Sequence, residues 1–160
     1  MVIVFSPVGT LIEKDGRPIA IAIQVLRELE RLNVPLVIAA DLPRANVKSA
    51  ARAVSFCGDV ISSRRPMSRV RSVSALPPGS FWWVSASERE MLDAQRAGYN
   101  AVLVDRTQTR PISRKRGHAF VINSLQELLQ LIRAPYTRAT LVIRQIMDDM
   151  FASAAESDTR

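Results

Sequence analysis

Short apolar strands alternate with amphipathic helical stretches along nearly the whole chain, and that alternation restricts the fold more than any other feature. Apolar runs at 2–5, 35–40, 59–61, 81–84, 101–104 and 119–122 are each six residues or shorter and bounded by turn residues, so they read as strands. Between them, 19–32 carries Ile21, Ile23, Val25, Leu26, Leu29 and Leu32 on a broad apolar face, and 43–56 opens on Pro43, a residue suited to a helix start. Ser87 with Glu90, and Ser124 with Glu127, have the spacing of capping boxes for helices running to Gly98 and over 125–132. Strands separated by helices cannot pair as hairpins and instead form a parallel sheet with helices packed on it. The expected fold is therefore α/β, a Rossmann-like doubly wound, mainly parallel sheet. Pro135 interrupts the chain, and a further helix over 137–155 is expected as a C-terminal addition, with frayed residues after it. The expected organisation is one core domain over 1–133 and a C-terminal helix and tail over 134–160.

A chain of 160 residues, 48% of them hydrophobic, suffices for a single sizeable core. No apolar run approaches the roughly 18 residues that would mark a membrane span, and the first residues lack the basic lead of a secretory signal. With Cys57 as its only cysteine, the chain has no intramolecular disulfide to form, and the expected location is the cytoplasm.

The opening MVIVFSPVGTL runs from a strand into Gly9-Thr10-Leu11, and Asp15-Gly16 lies between apolar arms as a hairpin signal. This opening resembles the first motif of the haloacid dehalogenase (HAD) superfamily, a hydrophobic strand followed by D-x-D-G-T-L and a small hairpin flap. In that register Ser6 stands at the nucleophilic aspartate and Val8 at the acid/base aspartate, ahead of the shared Thr10. Three later stretches keep the family's order. Residues 37–41 resemble the second motif, with Ala40 at its phosphate-binding hydroxyl. Arg64-Arg65-Pro66 resembles the third, a Lys-Pro before a helix, with Arg65 at the cation. Residues 83–98 resemble the fourth, with Ala86 at the metal-binding aspartate and Glu90 retaining an acid. The resemblance covers about 1–133 and implies a HAD-like core of the capless type, since no large insertion follows either the flap or residue 61. An open site of this kind goes, within the family, with macromolecular substrates.

The same resemblance implies chemistry that the residues do not supply. Magnesium takes oxygen ligands in near-octahedral geometry, largely from carboxylates, and Ser6, Val8 and Ala86 offer none. No base is identifiable beside Ser6 in the sequence, and the only histidine, His118, lies far along the chain. The expectation is a non-catalytic pseudoenzyme with no metal and no cofactor, in a binding or regulatory role. A residual HAD-type phosphohydrolase is the remaining enzymatic alternative.

The formal charge of +7 is uneven, because Asp148, Asp149, Glu156 and Asp158 stand against Arg160 alone at the C-terminal end. The body is therefore more basic still. Two clusters follow strands, Arg64, Arg65, Arg69 and Arg71, then Arg106, Arg110, Arg114, Lys115 and Arg116. In an open α/β sheet, loops after strands form the ligand edge, so both clusters are expected to surround the vestigial pocket and to bind nucleic acid or another polyanion. The alternative is a solvated surface with arginines spent on nearby carboxylates such as Asp105. Trp82 and Trp83, adjacent on a strand, point to opposite faces and are expected in the core rather than as base-stacking platforms. A second class of function lies in Ile143, Ile146, Met147, Met150 and Phe151, an apolar stripe at helical spacing. It serves either to pack on its own domain or as an interface for a protein partner or a homodimer.

Overall fold

The computed structural model describes residues 1–107 and 119–133. The expected helix over 137–155, its apolar stripe of Ile143, Ile146, Met147, Met150 and Phe151, and Arg110, Arg114, Lys115, Arg116 and His118 lie outside the described residues.

Six strands, β1 (Val2–Phe5), β2 (Leu36–Ala40), β3 (Asp59–Ser62), β4 (Phe81–Ser85), β5 (Asn100–Val104) and β6 (Ala119–Ile122), form one sheet in the order β3-β2-β1-β4-β5-β6. Every neighbouring pair is parallel. The helices are α1 (Ala20–Arg31), α2 (Arg44–Ala53), α3 (Pro66–Ser72), α4 (Glu88–Arg96) and α5 (Leu125–Arg133). The α/β, Rossmann-like sheet expected from the alternation is thus present, and its strands begin and end within a residue or two of the expected positions.

Connection handedness decides which helix goes where. Parallel crossovers are almost always right-handed, so a chain that steps leftward along the sheet must cross on one face and a chain that steps rightward on the other. Accordingly α1 and α2, which link strands on the β3 side, pack on one face, and α5 joins them there. The other face holds α3 and α4. Alternating strand residues feed the two layers: Ile3, Phe5, Ile38, Trp82 and Val84 enter the first, and Val4, Ala39, Phe81, Trp83 and Leu103 the second. Trp82 and Trp83 are both buried, as expected. Trp82 stacks on Phe120 with ring centres 5.3 Å apart, and Trp83 stacks on Tyr99 at 6.1 Å. Each tryptophan removes roughly 150–250 Å² from water, so the pair anchors both layers at the centre of the sheet.

The helix ends differ in detail from the expected caps. Ser87 Oγ accepts from the Glu90 amide at 3.4 Å, but the Glu90 carboxylate turns instead to the Ser85 hydroxyl. At α5, Ser124 Oγ accepts from the Gln126 amide, and the Glu127 carboxylate reaches the amide of Asn123. Glu28 of α1 bridges Arg31 and Arg133, fastening the end of α5 to α1 at the surface. Among the described residues, no helix is long and apolar enough to cross a membrane.

Candidate functional site

Where the strand order reverses, neighbouring strands send their chains to opposite faces and leave a crevice at their carboxyl ends. Here that point lies between β1 and β4, because the chain after β1 turns to the α1 face and the chain after β4 to the α4 face. The residues after these two strands are Ser6 to Thr10 and Ala86 to Glu90, the positions of the first and fourth motifs.

The turn after β1 is built around one carbonyl. Pro7 O accepts from the amides of Leu11 and Ile12 at 2.8 and 3.0 Å, and the Thr10 hydroxyl donates back to Ser6 O. Gly9 has φ +79°, a conformation that a side chain strains, and a Cβ there would stand 2.9 Å from Ala86 Cβ. Leu11 and Ile12 then drop into the core. Gly9 therefore makes a left-handed turn in close contact with the β4 loop, Thr10 supplies a bond that closes the turn, and Leu11 anchors it. Val8 projects outward, 39% exposed.

Ser6 is buried, and its amide donates to Val84 O at 2.9 Å, so β1 and β4 stay paired one step past their last registered residues, Phe5 and Val84. One residue on, that register brings Ser6 level with Ser85 on the same face of the sheet. The Ser85 hydroxyl, also buried, donates to Glu90 Oε2 at 2.8 Å and accepts from the Ser87 amide at 2.9 Å. A carboxylate thus stands one hydroxyl removed from the row that holds Ser6. Sequence reasoning found no base beside Ser6, because the strand position of Ser85 level with Ser6 becomes visible only with the β1–β4 register.

The donor set does not suit magnesium. Ser6, Val8 and Ala86 carry no carboxylate, Glu90 is engaged by Ser85, and the described residues contain no group of three or more metal-binding side chains. Ala40, at the second motif, is likewise without a hydroxyl. In register beside it, Ser62 spends its own hydroxyl on Leu42 O at 2.6 Å.

The arginines divide. Arg64 and Arg65 are exposed on the loop after β3, at the carboxyl edge where the sequence placed them. Arg69 and Arg71 are carried away along α3. Arg69 lines a groove beside β3, and Arg71 acts on Tyr99, whose phenol pKa burial pushes up and Arg71 pulls down. Arg106 does not present its guanidinium freely. It grips both oxygens of Glu13 on the flap, at 2.9 and 3.3 Å, and donates to Gly9 O at 3.1 Å. The carboxylate that engages it is on the flap rather than at the neighbouring Asp105, whose Oδ1 accepts from Thr107. This clasp ties the flap to the β5 loop over a mixed-charge hollow of about 700 Å³ that includes Lys14 and Arg17.

Taken together, the sheet, the flap and the switch-point cleft describe a HAD-like α/β fold. No family model and no curated protein matches the sequence. Solved structures do match. An L-2-haloacid dehalogenase from Xanthobacter autotrophicus aligns with TM-score 0.63 and 18% identity over 74% of this chain and 62% of its own. A HAD phosphatase from Thermococcus onnurineus aligns with TM-score 0.56 and 21% identity over 72% and 58%. A D,D-heptose 1,7-bisphosphate phosphatase from Burkholderia thailandensis aligns with TM-score 0.63 and 15% identity over 82% and 97%. The chain spans about three-fifths of the length of the dehalogenases it matches. At these identities the likeness establishes the fold. The matched proteins are nonetheless hydrolases, and the expectation that this chain is not an enzyme, drawn from its missing aspartates, is corrected on that finding.

The clasp has a measurable signature. The hydrogen-bonded Arg106 guanidinium holds the Glu13 carboxyl below the usual glutamate value. Its contribution is therefore complete above the unfolded-state pKa and is lost as pH falls through the lower folded one. Carbon-detected NMR titration should show Glu13 titrating below an ordinary glutamate, and Arg106→Ala should raise it toward the ordinary value.

Proposed function

We propose that this chain is a HAD-like hydrolase acting on phosphate esters of large anions, with Ser6, Ser85 and Glu90 as its working groups. The observation that supports this reading is the alignment of the Ser6 position with the Ser85–Glu90 hydrogen bond across the switch point. Ser6 Oγ attacks phosphorus, and its proton passes through the Ser85 hydroxyl to Glu90 and on to the departing ester oxygen. Water then cleaves the phosphoserine and restores Ser6. This route runs on hydroxyls and a carboxylate, as the donor set requires, and follows the general pattern of a nucleophile activated by an adjacent base. A capless, open cleft is part of this reading, and the short connections support it: among the described residues, 6–19 hold the turn and flap, and 63–80 hold α3 and a single 3-10 turn. Large substrates therefore have access. Steady-state assays should detect slow release of p-nitrophenol from p-nitrophenyl phosphate without added Mg²⁺, falling at least tenfold in both Ser6→Ala and Glu90→Gln. Turnover absent from the wild type, or unchanged in both variants, would overturn the assignment.

The polymeric character of the substrate rests on Arg64 and Arg65. Neither has an ion-pair or hydrogen-bonded carboxylate partner among the described residues, whereas Arg17, Arg31, Arg96, Arg106 and Arg133 all do. The loop that carries them is two strands, about 10 Å, from Ser6, within reach of a neighbouring phosphate on a nucleic acid. Affinity for labelled single-stranded RNA and DNA should fall linearly with log salt concentration. Replacing Arg64 and Arg65 by Ala should lower the slope by about one to two, roughly one for each phosphate left without its arginine.

A further inference from the structure

A broad groove among the described residues lies away from the switch point. It measures about 810 Å³ and runs along β3, where Leu36, Val37, Val70 and Val73 supply apolar walls. It exists because α3, at seven residues, is too short to cover that corner of the sheet, and Val73 just beyond it is left 59% exposed.

Among the described residues β3 is an edge strand, paired only with β2. Its backbone parity follows from one bond: the Ser63 amide donates to Ala40 O, so residues 61 and 63 direct their polar groups toward β2. Val60 and Ser62 therefore direct their N–H and C=O groups outward. Such a row is a template for another strand unless something blunts it. Here the two ends of the strand carry opposite charge. Asp59 stands at the amino end and Arg64 and Arg65 just past the carboxyl end, none with an ion-pair partner among the described residues.

That arrangement complements itself under a two-fold rotation. We propose that β3 pairs with β3 of a second copy of this chain, antiparallel, with Ile61 on the axis. In this register Val60 faces Ser62 of the second copy and the reverse, so all four outward groups on each strand segment find partners. Asp59 of each copy then lies against the Ser63–Arg65 stretch of the other. The two arginine pairs stay about 20 Å apart, beyond the Debye length at physiological salt, so their repulsion is screened. The product is one continuous sheet in which neither copy keeps an open edge at β3. This interface shares Arg64 and Arg65 with the proposed substrate edge but uses none of Ser6, Ser85 and Glu90, so it does not depend on the hydrolase reading.

Position 61 tests the register directly. Across an antiparallel pair of this type the two Cα atoms are about 4.5 Å apart, within the span of a disulfide. Full-length protein carrying Cys57→Ser and Ile61→Cys should form a covalent dimer under mild oxidation, and the same background with Leu32→Cys should not. Light scattering of the wild type should give twice 17.8 kDa. Val60→Pro, which removes an outward N–H at an edge position that tolerates proline, should give the monomer with an unchanged circular dichroism spectrum. If that variant unfolds, the charge swap decides: Asp59→Arg should weaken the dimer and the further changes Arg64→Asp and Arg65→Asp should restore it. A monomeric wild type overturns the proposal. So does a dimer indifferent to Val60→Pro and to the charge swap, which would place association elsewhere on the chain.

Discussion

The pairing of β1 with β4 is the constraint on which the rest of the structure depends. β1 comes first in chain order among the strands of this sheet and lies inside it, so β2 and β4 pair with it from opposite sides. Right-handed crossovers then sort α1 and α2 to one face and α3 and α4 to the other. The crevice between β1 and β4 is the geometric remainder of that sorting. It exists whatever residues occupy it, so it forms with Ser6, Val8 and Ala86 at its lips as readily as it would with acids there. Gly9 against Ala86 and the Ser6 amide on Val84 O fasten the cleft's two lips together.

Much of this was legible in the sequence because it is local. Strand and helix positions follow from apolar periodicity, and the opposed burial of Trp82 and Trp83 from the two-residue repeat of a strand. Gly9-Thr10-Leu11 was legible too, since each residue type matches a need of the turn. What sequence could not supply is register. The alignment of Ser6 with Ser85, and through it the approach of Glu90, depends on how β1 meets β4. The Arg106–Glu13 clasp joins residues more than ninety positions apart and leaves no local signature. Arg69 and Arg71 read as part of one basic loop, but the helix after Pro66 carries them down the face of the sheet.

The missing aspartates pointed toward an inactive domain, and the structural neighbours point toward hydrolases. The proposed serine-based machinery would reconcile the two. The cleft lacks the paired acids of the resemblance, yet two buried serines, Ser6 and Ser85, stand level on adjacent strands there, and Ser85 is hydrogen-bonded to Glu90. With Ser6, Val8 and Ala86 uncharged, the edge flanked by Arg64 and Arg65 also carries little negative charge. A phosphate ester would then be held by cations and met by a serine, an arrangement compatible with an open cleft and a large substrate.

The central claim is that the β1–β4 cleft is where an oxyanion binds, and amide NMR with tungstate as a tetrahedral probe addresses it most directly. Oxyanion binding there predicts saturable shifts in the amides of residues 6–10 and 85–90, abolished when Ser6→Asp places a negative charge in the cleft. Shifts confined to the β3 groove or the flap hollow, or none at millimolar tungstate, would contradict it.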